Sequence, residues 1–200
     1  MNELIKQLQS RRSVREFTGE KIKEEDLQTM LAVAQRAANS VGKRNIGPKS
    51  ADGVLVGAVD AGIVVNSLQT AAHALGYGTT VIGAIRKATK EFIKMLELPE
   101  YVFPIVGTTI GVPVERKLTR VKPRVPLDTF VFEDTYDAKK VEEGVEFHEK
   151  DTVAWREENG TPQLPSYKEM IVRIYENFYN TSKQDLESQG FRFADELDEK

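Results

Sequence analysis

Apolar residues at helical spacing predict two helices at the start of the chain. Those within residues 2–9 share one face and predict a short helix that ends near Ser10. After a turn at residues 17–19, the carboxylates within residues 23–26 mark the first turn of a second helix, because the helix dipole favours negative charge there. The apolar stripe of this second helix consists of Leu27, Met30, Leu31 and Ala34.

A nearly unbroken apolar stretch from Asp52 to Leu75 predicts a long helix, with Gly76 as its C-cap. The stretch is long enough for a membrane span, but polar side chains and glycines interrupt it. We therefore expect a helix that is buried on nearly all sides in a protein core. Its one histidine, His73, is expected to be a hydrogen-bonded packing residue rather than a catalytic one.

β-branched and apolar runs predict strands among the later helices. Residues 79–82 predict a short strand followed by a loop, and residues 102–110 predict a second strand. Between them, residues 92–98 predict a short helix that Pro99 stops. Helices that alternate with strands indicate an α/β or α+β sheet domain.

The last third of the chain has a different character. Lys, Arg and Pro dominate from Val114 to Pro126, which predicts extended chain on the surface. A polar helix is expected over 141–149 and an amphipathic one over 167–179, before an acidic tail at 194–200. Because this third carries little core signal, we expect it to wrap around a partner, with a second subunit as the natural candidate.

Composition narrows the class of protein. The chain has 200 residues, of which 40% are hydrophobic, enough for one core but not for two full-sized domains. Its net charge of -3 supplies no field that recruits nucleic acid or an anionic membrane, so the expected partner is a small molecule. The lack of cysteine excludes disulfides and thiolate metal sites. Without a long apolar run at the N-terminus, a soluble cytoplasmic protein is expected.

Arg11, Arg12, Ser13 and Arg15 form a basic motif directly after the first predicted helix. If the segment is extended, Arg11, Ser13 and Arg15 project to one side and present two guanidinium groups beside a hydroxyl. Such a set suits a phosphate group. The alternative interpretation is a solvated basic surface.

Lys122 and Arg124 form a second basic motif, separated by a proline that stiffens the backbone and fixes the spacing of the two cations. On its own, this motif would be interpreted as a basic linker.

Six motifs, in one order, give the chain a resemblance to the nitroreductase family. It resembles the branch of NADPH-preferring, oxygen-insensitive nitroreductases and flavin reductases, over residues 3–136. The motifs are R-R-S-V-R-E-F at 11–17, A-A-N-S at 37–40, L-G-Y-G at 75–78, I-G-A-I-R at 82–86, L-P-E-Y-V-F-P-I-V-G at 98–107 and K-P-R-V-P at 122–126.

The resemblance implies a homodimeric α+β sandwich with a central mixed sheet flanked by helices and an FMN at each subunit interface. Residues 1–136 would form the FMN-binding core, and residues 137–200 a helical extension of the same domain that wraps around the dimer partner. The implied activity is a ping-pong oxidoreductase reaction. NADPH or NADH would reduce the FMN and leave before a nitroaromatic, a quinone or free flavin is reduced.

The resemblance also implies roles for the basic residues. Arg11, Ser13, Lys122 and Arg124 would bind the FMN phosphate and ribityl chain, and Arg12 matches a position with a looser role. Arg15 would lie by the N1 and C2 carbonyl edge of the isoalloxazine, where the reduced flavin carries negative charge.

Further roles are implied near the flavin ring. The backbone from Ile82 through Gly83 and Ala84 would approach flavin N5, although relatives usually have a second glycine in place of Ala84. Arg86 would meet the 2′-phosphate of NADPH, unless it is an ordinary arginine at a strand end. The remaining predicted flavin contacts are Asn39 and Ser40.

One segment typical of the family has no counterpart here. Relatives carry several dozen more residues between Ser40 and Asp52, normally a strand, a helix and another strand, where this chain has only residues 41–51. The residues could be absent from the sequence as given, the chain could be an internally deleted member, or a partner could supply the layer. A real deletion motivates an alternative to an enzyme, a flavin- or nucleotide-binding protein that senses without efficient turnover. A third hypothesis, a scaffold with no ligand, becomes attractive only if Arg15→Ala and Arg124→Ala leave FMN affinity unchanged.

Overall fold

The computed structural model describes residues 2–37, 50–116, 118–176 and 181–193. The chain forms two compact units, one of residues 1–114 with 179–200 and the other of residues 115–178. Within the described ranges, the first unit contains helices α1 (Glu3–Ser10), α2 (Glu24–Gln35), α3 (Ala51–Ala74), α4 (Thr89–Met95) and α7 (Ser182–Ser188), and strands β1 (Gly78–Ile82) and β2 (Gly107–Gly111). The second contains α5 (Ala138–Glu158) and α6 (Tyr167–Glu176). One 3-10 turn spans Gly83–Ala88 and another spans Leu127–Thr129.

Polar side chains begin three of the helices. Asn2 accepts the Leu4 N–H at 2.9 Å to start α1. Ser50 accepts the Gly53 N–H at 3.1 Å to start α3, and Asp137 caps α5 in the same way. Each cap satisfies an N–H group that has no partner inside the helix.

The sheet pairs β1 with β2 in antiparallel register, from Gly78 opposite Gly111 to Ile82 opposite Gly107. Ser13 adds a parallel bridge to Thr79, and Phe17 adds an antiparallel bridge to Pro113. Among the described residues the sheet is therefore smaller than the predicted central mixed sheet, although the combination of helices and sheet agrees with the α+β prediction.

Two glycines allow the segment 13–17 to lie against the end of this sheet. A Cβ atom at Gly78 would lie 2.8 Å from the Val14 side chain, and one at Gly111 would lie 2.7 Å from Cδ1 of Phe17. Both distances are shorter than real Cβ contacts, so any side chain at either position would displace the segment.

The core of the first unit lies where α2 and α3 meet the sheet. Its buried members are Met30, Ala71, Ala72 and Tyr77, and Ile22, Leu27, Leu68, Ile110 and Val112 pack against them. The Tyr77 hydroxyl donates to Asp26 at 2.7 Å, which ties the first turn of α2 to the residue before β1. This hydrogen bond is the main reason that the pKa of Tyr77 is raised.

The prediction that α3 is buried on nearly all sides is wrong. Within α3 only Gln69, Ala71 and Ala72 are buried, while Leu55 is 65% exposed and Val59 is 61% exposed. α3 is as apolar as the sequence indicates. Among the described residues, it is the one helix that is long and apolar enough to cross a membrane. However, the buried residues of α3 all lie in its C-terminal half, on the side that packs against α2 and the sheet.

Most other predicted elements are present. The two N-terminal helices, the strand at 79–82 and the short helix before Pro99 all form, and Gly76 follows α3 with a φ of +85°. The loop predicted after the first strand is instead a 3-10 turn that leads directly into α4. In the last third, the polar helix predicted over 141–149 is longer than expected and spans Ala138–Glu158 as α5. The amphipathic helix predicted over 167–179 is α6, which is described as far as Glu176.

Arg120 connects the chain before the second basic motif to α5 within the second unit. Its guanidinium donates to Asp151 at 2.8 Å and to Glu158 at 3.0 Å. The Trp155 indole N–H donates to the Arg120 carbonyl at 3.0 Å. Both hydrogen bonds of the guanidinium raise the pKa of Arg120, and the bond to Arg120 lowers the pKa of Glu158.

We predict that Gly111→Ala lowers the free energy of unfolding by about 1–3 kcal/mol, because the new methyl group overlaps the Phe17 ring. Gly57→Ala is the matched control, since nothing lies within 4 Å of its added Cβ atom and alanine favours the helix. Urea unfolding followed by circular dichroism measures both changes. Equal stability of the two variants would contradict the close approach of Phe17.

A second prediction concerns pH. Glu158→Gln should lower Tm at pH 7 by at most about 3 °C, as expected for a partly exposed ion pair. Because the folded-state pKa of Glu158 is lowered, its contribution is present above the ordinary carboxylate pKa and is lost as pH falls through the folded pKa. The Tm difference should therefore vanish in acid. Glu157→Gln, which removes the neighbouring exposed carboxylate and leaves the bond of Arg120 to Glu158 in place, is the matched control.

Candidate cofactor site

The first basic motif is anchored to β1 through the peptide groups of Val14. The Val14 N–H donates to the Thr79 carbonyl at 2.8 Å, and the Thr80 hydroxyl donates to the Val14 carbonyl. Val14 itself is buried against Gly78. Since successive side chains of an extended segment alternate in direction, the burial of Val14 directs Ser13 and Arg15 away from the sheet.

The charged side chains of this motif differ in exposure. Arg11 and Arg12 are half-buried, as is Ser13, whereas Arg15 is exposed. Arg11 follows α1 directly, as its C-cap, and its charge reaches His73 on α3. The structure therefore places all four predicted residues on one anchored segment of the first unit.

A buried polar network lies behind the motif. The Thr79 hydroxyl is 2.9 Å from both Nε2 of Gln69 and Nε2 of His73. The other ring nitrogen of His73, Nδ1, is buried and has no hydrogen-bond partner among the described residues. Burial, and then the charge of Arg11, lower the pKa of His73, so the neutral ring is favoured. The hydrogen bond to Thr79 agrees with the packing role predicted for this histidine.

The residues predicted to approach the flavin ring occupy the end of β1 and the turn that follows it. Ile82 and Gly83 are half-buried, and Ala84 is exposed. Arg86 folds back over Gly83, with Nη2 3.5 Å from where a glycine Cβ would lie, and its Nη1 donates to the Ile105 carbonyl at 2.8 Å. The Arg86 side chain is thus partly buried and hydrogen-bonded to a backbone carbonyl of the first unit.

The second basic motif belongs to the second unit. Lys122 and Arg124 are exposed on either side of the buried Pro123, and Arg124 donates to the Pro123 carbonyl at 2.9 Å. Burial first, and then the charges of Arg124 and Lys122, lower the pKa of His148 on α5. Lys122 and Arg124 thus act on His148 as cations, the charge that a phosphate site requires, while Asp151 and Glu149 oppose them there.

An apolar cavity of about 290 Å³ lies elsewhere in the first unit. The cavity is lined by the N-terminal half of α3 and by aromatic residues that include Tyr101, Phe103 and Phe191. None of the predicted site residues that the structure describes lines it. Asn39 and Ser40 lie outside the described residues.

Sequence inspection missed Gln69 and Thr79, which support the first motif. Gln69 stood out only as a polar interruption of an apolar helix. A polar residue in such a helix signals a buried hydrogen bond, since an unpaired amide there would be costly, but the signal does not name the partner.

Comparison with known proteins places the chain in a family. The profile of the nitroreductase family matches residues 8–47 and 48–112, and the profile of the nitroreductase family C-terminal domain matches residues 122–194. Together these matches cover most of the chain.

Two curated relatives show the extent of the similarity. FMN reductase (NAD(P)H) of Bacillus subtilis (strain 168) is 29% identical over 249 residues, covering 96% of this chain and 99% of that protein. This alignment is longer than the chain, so part of the relative has no counterpart here. CR(VI) reductase of Pseudomonas sp. (strain G-1) is 35% identical over 136 residues, which cover 68% of this chain and 47% of that protein. The chain thus spans about half the length of the second relative.

Among solved structures, NfrA2 of B. megaterium matches with a TM-score of 0.88 and 25% identity, covering 97% of this chain and 100% of the other. This likeness confirms the predicted nitroreductase-like α+β fold. Because the two family profiles together match residues 8–112 and 122–194, the chain belongs to the nitroreductase family.

Proposed function

We propose that the chain is an FMN-dependent NAD(P)H oxidoreductase that reduces nitroaromatics, quinones or free flavin in a ping-pong reaction. The observation that carries this function is the similarity to FMN reductase (NAD(P)H), which extends over 96% of the chain and 99% of the relative. FMN, when bound, supplies the hydride-transfer chemistry, so the protein needs to provide only position and charge.

The donor set of the two basic motifs fits FMN. In the first unit, Arg11 and Ser13 offer a guanidinium and a hydroxyl that suit a phosphate dianion or a ribityl chain. In the second unit, Lys122 and Arg124 offer two cations that suit the same ligand groups. Arg15, which is exposed on the anchored segment, is available to the N1 and C2 carbonyl edge of the isoalloxazine. Positive charge there stabilises the reduced flavin.

The remaining contacts follow the family resemblance. Ile82, Gly83 and Ala84 would contribute backbone near N5, and Asn39 with Ser40 would contact the flavin. Arg86 would receive the 2′-phosphate of NADPH. Its Nη1 donates to the Ile105 carbonyl at 2.8 Å, which holds the guanidinium near the turn after β1.

The active assembly would be a homodimer, with the exposed apolar stripe of α3 as part of the interface. Leu55, Val59 and Ile63 recur every four residues and so lie along one side of the helix, where all three are exposed. A stripe of this kind on a long helix is typical of a protein contact surface.

We place the protein in the cytoplasm despite the hydropathy of α3. Its C-terminal half contributes Gln69, Ala71 and Ala72 to the interior of the first unit, where Gln69 bonds to Thr79 on β1. This packing favours α3 as a helix of the folded unit over a membrane span. Fractionation of cells that express the chain tests the placement.

A second candidate function is flavin binding without efficient turnover. The observation that favours it is the part of the B. subtilis relative that has no counterpart in this chain. If the missing part lines the flavin ring, the protein could hold FMN and still react slowly.

The first test is the colour and the redox activity of the purified protein. We expect a yellow protein whose flavin absorption is bleached by NADPH, and whose NADPH oxidation is sustained by a nitroaromatic or a quinone. Bleaching without sustained oxidation would favour the binding protein. A colourless protein that takes up no added FMN would exclude both functions.

The basic motifs are tested by substitution. Arg15→Ala and Arg124→Ala should each raise the Kd for FMN roughly 10- to 100-fold, the cost of losing a charged hydrogen bond. Arg116→Ala, which removes an exposed arginine outside both motifs, should leave the Kd unchanged. Unchanged affinity in the two motif variants would refute these assignments.

The dimer is tested by light scattering after size-exclusion chromatography. Val59→Glu should convert a dimer to monomers, because it places a charge in the centre of the apolar α3 stripe. Met95→Glu is the matched control, since Met95 is an equally exposed apolar residue on another helix. A wild-type protein that is already monomeric, or a Val59→Glu dimer, would show that α3 is not the interface.

A further inference from the structure

We propose that Thr79 is a positioning residue of the phosphate site, because it joins helix α3 to the backbone that carries the first basic motif. This role presupposes the proposed function, in which that motif binds the FMN phosphate. Thr79 would not touch FMN itself. It would act through the segment that contains Ser13 and Arg15.

On the strand side, Thr79 binds the motif through its main chain. Its carbonyl accepts the Val14 N–H at 2.8 Å, and Ser13 forms a parallel bridge with it. The next residue, Thr80, holds the Val14 carbonyl through its hydroxyl. Both polar groups of the Val14 backbone are therefore fixed by consecutive residues of β1.

On the helix side, Thr79 is held by its hydroxyl. The hydroxyl is 2.9 Å from Nε2 of Gln69 and 2.9 Å from Nε2 of His73, residues that face it from successive turns of α3. Thr79 is fully buried and Gln69 is 7% exposed. Water therefore cannot replace a lost partner in this network without a rearrangement.

The hydrogen bonds of the network can form a chain. Gln69 donates an amide N–H to the Thr79 hydroxyl, which can donate its own proton to Nε2 of a neutral His73 ring. The ring proton then lies on Nδ1, which is buried and has no partner among the described residues. Burial, and then the nearby charge of Arg11, lower the pKa of His73.

A comparison with valine shows what the Thr79 hydroxyl contributes to the first basic motif. Valine has nearly the shape of threonine and forms strands equally well, so packing alone does not require a hydroxyl at this buried position. The hydroxyl fixes β1 relative to α3, and thereby fixes the direction in which Ser13 projects, the bridge partner of Thr79 that is assigned to the phosphate. Binding of a phosphate by several donors at once is sensitive to such direction, whereas stacking of an isoalloxazine ring is much less so.

The test compares FMN with riboflavin, which has the same ring and ribityl chain but no phosphate. Apoprotein is titrated with each flavin, and flavin fluorescence gives the two Kd values. Thr79→Val should raise the Kd for FMN about tenfold, the equivalent of one hydrogen bond, and change the Kd for riboflavin less than about twofold. Thr79→Ser, which keeps the hydroxyl, should restore FMN affinity. Thr109→Val on β2, an exposed threonine, is the matched control and should change neither Kd.

Each outcome decides the role of Thr79. A selective loss of FMN affinity with rescue by serine supports it. An unchanged Kd for FMN, or an equal rise for both flavins, overturns it and leaves Thr79 a packing residue. If Thr79→Val does not fold, Gln69→Met is titrated instead. A rise in its Kd for FMN alone supports the role of Thr79, and an unchanged Kd for FMN overturns it. If wild-type protein binds riboflavin but not FMN, the role of Thr79 is refuted while flavin binding stands; if it binds neither flavin, the proposed function fails with it.

Discussion

The close approach of the N-terminal segment to the end of the two-stranded sheet is the constraint on which the rest of the first unit depends. It exists because Gly78 and Gly111 stand opposite each other and present no side chains to Val14 and Phe17. Backbone hydrogen bonds then fix the segment, and the basic side chains on either side of Val14 acquire defined positions. A surface arginine usually samples many rotamers, so an anchored backbone is the first requirement for a cationic site that binds a small anion.

The two basic motifs are held in place by different interactions. The first is anchored by strand pairing and by the buried network around Thr79, whereas the second relies on Pro123 and on the attachment of Arg120 to α5. In both, a histidine whose pKa is lowered by burial and by neighbouring arginine lies close to the motif. The lowered pKa favours the neutral ring at both motifs, so neither histidine adds repulsion to the cations beside it.

Sequence reasoning located the elements and the family but not the contacts that support the site. Periodicity found α1, α2 and β1 because each depends on neighbouring residues. Motif order supplied the family, which the profiles confirm. The contact of Gln69 with Thr79 could not be predicted, since it depends on how a helix end and a strand pack in three dimensions. The burial of α3 was mispredicted for a related reason: apolar composition shows that a surface needs covering, not that the same chain covers it.

The uncovered side of α3 therefore carries an energetic argument about assembly. Burying a side chain such as Leu55, Val59 or Ile63 contributes about 1.5–3 kcal/mol relative to leaving it in water. Since these residues are 65%, 61% and 38% exposed, covering all three would contribute roughly 2–5 kcal/mol, against a total stability of roughly 5–15 kcal/mol for a typical domain. A chain that leaves this stripe in water forgoes a large fraction of the free energy available to it. A second copy that covers the stripe would recover that energy and would add a partner surface to the unit that carries the first basic motif.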